Sequence, residues 1–106
     1  ILGSPYSMHV IKRRTLIDFY TQPTHRDAKG PLEAWYAEAK AAVWSSPADI
    51  KAHFHSASVL ADNRVVFNIA GNKYRLIVKI NYAAKVVFIR FIGTHKEYDR
   101  IDAEVI

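Results

Sequence analysis

The stretch Val65 to Arg100 constrains this chain most, because it holds three consecutive runs rich in β-branched and aromatic residues with only short breaks between them. The breaks are Ala70-Gly71-Asn72 and Asn81-Tyr82-Ala83-Ala84, so the pattern predicts a three-stranded antiparallel meander. Side chains alternate along a strand. In the middle run Tyr74, Leu76, Val78, Ile80 and Tyr82 therefore face one way, and Lys73, Arg75, Ile77, Lys79 and Asn81 the other. One face is predicted to be core. The other is a half-solvated basic face carrying Lys73, Arg75, Lys79 and Arg90, with His95, Lys96 and Tyr98 just past its end.

A second hairpin closed by two or by four residues gives the same register. It sets Leu76 against Phe91, Val78 against Ile89 and Ile80 against Val87 on the core side, and Arg75 against Ile92, Ile77 against Arg90 and Lys79 against Phe88 on the other. An odd loop mixes apolar and basic partners, so the even one is expected. Leu76, Val78, Ile89 and Phe91 are then expected to pack on the helix that carries Trp35.

Ahead of the meander, Met8 to Ile11 reads as a short strand and Lys12 to Tyr20 as a helix, with Leu16, Ile17, Phe19 and Tyr20 at helical spacing and Pro23 beyond its end. Lys12, Arg13 and Arg14 form a basic cluster there, a solvated face or a phosphate contact. The segment from Thr21 to Gly30 is polar and turn-prone, and its His25-Arg26-Asp27 suggests no partner. Pro31 opens the clearest helix, in which Leu32, Trp35, Tyr36, Ala39, Ala42 and Val43 recur at three- and four-residue steps. Trp35 and Tyr36 lie on that apolar stripe and read as core, not as a base-stacking platform. Ser46-Pro47-Ala48-Asp49 resembles a helix cap, with a short helix to about Phe54. Lys96 to Ile106 closes the chain as a short helix or tail. One strand, two or three helices and three strands make an α+β domain: a compact single domain with an antiparallel β-sheet covered on one face by N-terminal helices.

At 106 residues there is room for one core only. Residues 1–7 contain Gly-Ser-Pro ahead of Met8 and read as an appended remnant, leaving 8–106 as the domain. No apolar run is long enough to span a bilayer, so a cytoplasmic protein with no membrane partner is expected. The chain has no cysteine, which removes disulfides, thiolate catalysis and every cysteine-based zinc pattern. Lys and Arg number 15 against 10 Asp and Glu, and the excess of +5 points to a polyanion or an acidic protein as partner. His53 and His55 are too close in sequence to share one side of a helix, and no third ligand lies nearby.

Cutting RNA without a metal requires a 2′-hydroxyl to lose its proton and attack phosphorus while the departing 5′-oxygen gains one. Fixed positive charge must meet the extra negative charge of the phosphorane. His95 is the histidine beside the basic face, in a range of acidity that suits either transfer. Tyr98 is the second candidate proton-transfer or orienting group. Arg75 and Lys73 are the candidate phosphate clamps, Arg75 because its planar fork grips two oxygens. His95 also reads as a capping or packing residue at the sheet end. Glu97, Asp99 and Asp102 are the carboxylates that a metal-dependent nuclease would use instead.

The run Val66-Phe67-Asn68-Ile69-Ala70-Gly71-Asn72-Lys73-Tyr74-Arg75-Leu76, followed by Thr94-His95-Lys96-Glu97-Tyr98-Asp99, resembles the HigB-type toxins of bacterial type II toxin-antitoxin pairs. The resemblance extends over nearly the whole chain from Met8. It implies a RelE-like fold, mRNA interferase activity on the translating ribosome and no cofactor. It also implies inhibition by a HigA-type helix-turn-helix antitoxin, with DNA bound only through the toxin-antitoxin complex. Carried over by position, Asn72, Arg75, His95, Lys96 and Tyr98 fall on the family motifs. The expected site is therefore His95, Tyr98 and Arg75 for catalysis, Asn72, Lys73, Lys79, Arg90 and Lys96 for RNA binding, and no metal. A non-enzymatic RNA- or ribosome-binding module uses the same cations without turnover; a purely structural partner protein needs no basic face.

Overall fold

The computed structural model describes residues 7–106. The expected boundary after residue 7 thus falls almost wholly outside the described residues. Strand β1 (His9–Ile11) leads into helix α1 (Arg13–Tyr20), a 3-10 helix (Pro23–Ala28), α2 (Lys29–Ala41) and α3 (Pro47–His53). Strands β2 (Ser58–Val59), β3 (Arg64–Ile69), β4 (Tyr74–Asn81) and β5 (Val86–Thr94) follow, then one turn of helix, α4 (His95–Tyr98). The sheet runs β1-β5-β4-β3-β2. The predicted meander is β3 to β5, antiparallel throughout, while β1 lies parallel to β5 and makes the sheet mixed.

Each start and stop has a local cause. Helix α2 begins two residues before the predicted Pro31, which sits within its first turn, where a missing N–H is harmless. Ser46 stands at the cap of α3 but its side chain makes no cap bond; instead Asp49 accepts from the Ser45 N–H at 2.8 Å. The β4–β5 loop is the four-residue form, Tyr82 to Lys85, with Lys85 at φ 58° and the Asn81 side chain accepting from Ala84 N–H at 2.9 Å. In the β3–β4 loop both Ala70 and Gly71 take positive φ, which glycine adopts without strain and alanine does not.

The inner face is the core. Val65, Phe67, Ile69, Tyr74, Leu76, Val78, Ile80, Val87 and Ile89 pack against Leu16, Phe19, Leu32, Trp35 and Ile50 of the helices. Phe67 is its centre, met edge-on by Trp35 at 5.4 Å and by Phe54 at 5.1 Å between ring centroids. Full burial of a Leu76-sized side chain contributes roughly 1.5–3 kcal/mol. Trp35 is core as expected, and Tyr36 lies at the margin beneath the Arg13 guanidinium, 4.3 Å from its ring centre.

The predicted register holds from the hairpin to Val78, which faces Ile89, and then slips by one. Arg90 is the extra residue of a β-bulge, so Ile77 faces Phe91, Leu76 faces Ile92 and Arg75 faces Gly93. The expected pairs Leu76 with Phe91, Ile77 with Arg90 and Arg75 with Ile92 do not form. The slip also swaps faces: Ile92 joins the core, and Phe91 leaves the helices for the outer side. Nor is the outer side uniformly basic. Val66 and Ile77 are paired there and buried. The chain beyond Tyr98 returns across this face, because buried Arg64 and exposed Arg90 both donate to the Ile106 main-chain oxygen, at 2.9 and 3.3 Å.

Arg64 also donates to Asp62 at 2.7 Å, so one side chain ties the end of the chain to the sheet. Arg64→Ala is expected to lower stability by about 1–3 kcal/mol, the usual effect of losing hydrogen bonds from a charged donor. Amide exchange should then quicken first in residues 101–106. Equal protection of that segment in both proteins would show that other contacts hold it.

Candidate active site

Two segments far apart in sequence meet at one end of β4. The β3–β4 loop presents Asn72 and Lys73, and α4 presents His95, Lys96 and Tyr98; the His95 N–H donates to the Lys73 carbonyl at 3.3 Å and joins them. Strand pairing of Tyr74 with Thr94 and of Arg75 with Gly93 fixes their relative height. Gly93 has a steric reason: a Cβ there would come within 2.5 Å of the Phe91 ring and 3.1 Å of the Glu97 carboxylate. Helix α4 starts with a reciprocal cap. The Glu97 N–H donates to Thr94 Oγ1 at 3.1 Å, and the Thr94 N–H donates to Glu97 Oε1 at 2.8 Å. That backbone N–H holds the Glu97 carboxyl below the usual carboxylate range.

Arg75 lies on the outer face, half-buried, as its strand position requires. Its Nη1 donates to the Asn72 carbonyl at 3.1 Å, and its guanidinium carbon stands 5.8 Å from the Tyr98 ring centre. Arg75 and Tyr98 thus face each other, and His95, fastened through its N–H to the Lys73 carbonyl, opens the helical turn that carries Tyr98; Asn72, Lys73 and Lys96 lie on the same two segments. His95 Nδ1 is 3.3 Å from Asp99 Oδ2, one helical turn on. An ionised carboxylate only accepts, so in this contact Nδ1 is the donor. The spacing of four in His95 and Asp99 was the available sequence signal for this pair.

Other residues depart from expectation. Lys73 sits in the loop, before strand alternation begins, and does not share the outer face with Arg75; it turns to Asp27 of the 3-10 helix. Lys79 keeps the outer face but stands four residues along β4 from Arg75, roughly 13 Å away at strand rise, and is held 3.2 Å from Asp62. Arg90 is at the bulge, bonded to Ile106. Lys79 and Arg90 therefore lie apart from Arg75 and Tyr98. Among the described residues, no three His, Asp or Glu side chains come together as a metal ion needs. No helix among them is long and apolar enough to cross a membrane.

The 3-10 helix brings in residues that sequence reading left without a partner. Asp27 accepts from Lys73 through Oδ2 and from the Tyr74 hydroxyl through Oδ1 at 2.5 Å. His25 stacks on Phe19 with ring centres 4.1 Å apart and meets Tyr74 edge-on at 5.8 Å. The Lys73 hydrogen bond holds Asp27 below the ordinary carboxylate range and, in return, raises Lys73. Burial, reinforced by Asp27, raises Tyr74. A depressed carboxyl stabilises the fold above its ordinary range and loses that effect as pH falls through its folded value; raised Lys73 and Tyr74 lose theirs as pH climbs through alkaline values. Thermal melts are therefore expected to show Asp27→Asn less stable than the parent at neutral pH and the gap closing in acid. A gap independent of pH would contradict the linkage.

The profile described as HigB_toxin, RelE-like toxic component of a toxin-antitoxin system, matches residues 28–101. The chain is 32% identical over 95 residues, 87% of its length and 88% of theirs, to the mRNA interferase toxin HigB of Escherichia coli strain K12. The same figures hold for the mRNA interferases HigB of Escherichia coli O157:H7 and of Shigella flexneri. The chain belongs to the HigB toxin family.

Proposed function

We propose that this toxin cleaves mRNA by a metal-independent transfer to the 2′-hydroxyl, on the translating ribosome, and thereby stops translation. The observation that carries the reading is that Arg75 meets Tyr98 at one end of β4, on the helical turn that His95 opens, with Asp99 bonded to the His95 ring. In this scheme the 2′-oxygen attacks the adjacent phosphorus as its proton leaves. The bond to the 5′-oxygen breaks, that oxygen is protonated, and a 2′,3′-cyclic phosphate and a 5′-hydroxyl result. His95 and Tyr98 divide the two proton transfers. Arg75 meets the charge that grows on the phosphorane, helped by the cations Lys73 and Lys96 and by Asn72. Lys79 and Arg90, farther along the face, serve the flanking backbone electrostatically.

The relatives named above are mRNA interferases, which supports the substrate. The antitoxin is proposed to be of HigA type, a helix-turn-helix protein that covers or distorts this end of the sheet, steered there by the toxin's +5 charge. DNA is reached only through that complex, and the site of action is the cytoplasm. The test is cleavage of a defined mRNA with and without programmed ribosomes, in EDTA that leaves the ribosomes assembled, followed by analysis of the ends. Cyclic or 3′-phosphate with a free 5′-hydroxyl, insensitive to chelator, is expected. A 5′-phosphate, or a ribosome-free activity that needs an added divalent ion, would overturn the mechanism and return attention to Glu97, Asp99 and Asp102. Binding of mRNA with no cut in either setting would favour the non-enzymatic module.

A further inference from the structure

Asp27 has no place in the chemistry above, yet it is the one carboxylate among the described contacts that grips the β3–β4 loop from outside it. We propose that Asp27 is a positioning residue: it holds the Lys73 ammonium in a fixed, exposed place on the β3–β4 loop, beside the residues of the site, so that the lysine meets an RNA phosphate without first being ordered. This inference rests on the RNA-cleavage reading of the site.

The geometry has three parts. Tyr74, 1% exposed and locked into the core, fixes the Asp27 carboxylate by donating its hydroxyl to Oδ1. The carboxylate then holds Lys73 through its other oxygen, while the Lys73 side chain remains 58% exposed. An ammonium carries three donors, so those not given to Asp27 remain for a phosphate oxygen. Finally, the Lys73 carbonyl accepts from the His95 N–H, so the residue that Asp27 holds is the one to which α4 is fastened. A long lysine side chain loses much rotamer freedom when it is fixed on a ligand, and one already held loses less. The carboxylate's negative charge opposes an incoming phosphate, so the sign of its effect on RNA binding is the point to measure.

The experiment is a double-mutant cycle on ribosome-programmed cleavage of a defined mRNA, using wild type, Asp27→Asn, Lys73→Met and the double variant. Each is read as kcat and KM beside a thermal midpoint. Asparagine keeps an acceptor for the Tyr74 hydroxyl and removes the charge that holds Lys73. Asp27→Asn is expected to raise KM about fivefold with kcat within about twofold, and to add nothing in the Lys73→Met background, because contacts in one network are not additive. Asp27→Glu should recover part of the loss, which also covers the case of a poorly folded asparagine variant. Equal KM penalties in both backgrounds would mark Asp27 as merely structural, and a lowered KM would make it a screen against RNA; either overturns the proposal while the cleavage reading stands. A Lys73→Met protein with unchanged KM removes Lys73 from the site and the proposal with it. A wild type that leaves mRNA uncut overturns the cleavage reading itself.

Discussion

His95→Ala is expected to lower the single-turnover rate of mRNA cleavage by about 10²–10⁴-fold, the range for removing a general acid or base. The side chain stands on an exposed helical turn and contributes nothing to the core, so the thermal midpoint should barely move. Asp99→Asn, which keeps the ring and a neutral acceptor but removes the negative charge beside Nδ1, should cost less. A His95→Ala enzyme within about threefold of wild type would remove the imidazole from the proton transfers. Attention would then pass to Tyr98, with Tyr98→Phe as the next variant.

Arg75→Ala should reduce the rate by about 10²-fold or more, if its guanidinium meets charge that appears only in the transition state. Its fork is held from behind by the Asn72 carbonyl and faces Tyr98, so the positive charge is placed before substrate arrives. Arg75→Lys is expected to recover little, because a point charge does not reproduce a planar two-pronged donor. The loss should appear in kcat and kcat/KM together. A change in KM alone would assign Arg75 to ground-state binding instead. Since the side chain lies off the core face, circular dichroism and the melting profile should match wild type.

These two residues show what the sequence carries. Arg75 was placed by strand alternation, and His95 and Tyr98 by their nearness to the end of the basic face and by the family motif. All three rules act over a few residues. Phe91 shows the limit: alternation put it in the core, and a single extra residue at Arg90 sent it to the opposite face. A bulge leaves no compositional mark when the residues on both sides are apolar enough to pack either way. Asp27 was missed for a different reason. Its partners lie 46 and 47 positions away, and nothing in a polar 3-10 segment announces a long-range grip. The helices α1 and α2 were legible because their apolar spacing repeats, and α3 because Pro47 and Asp49 follow Ser46 in a capping pattern. Burial of Val66 and Ile77 on the outer face was not, because alternation assigns them to the side that carries Arg75 and Lys79.

The parallel pairing of β1 with β5 sets when this toxin comes into being. His9 lies opposite Val86, so β1 waits, without its neighbour, until the chain has been made as far as that residue, 77 positions on. Arg75 and His95 are bound by the same schedule, since their meeting depends on β4 and β5 being paired. Closing so long a loop is slow relative to forming local helices. The growing chain therefore cannot bring Arg75 and His95 together until β5 has been made.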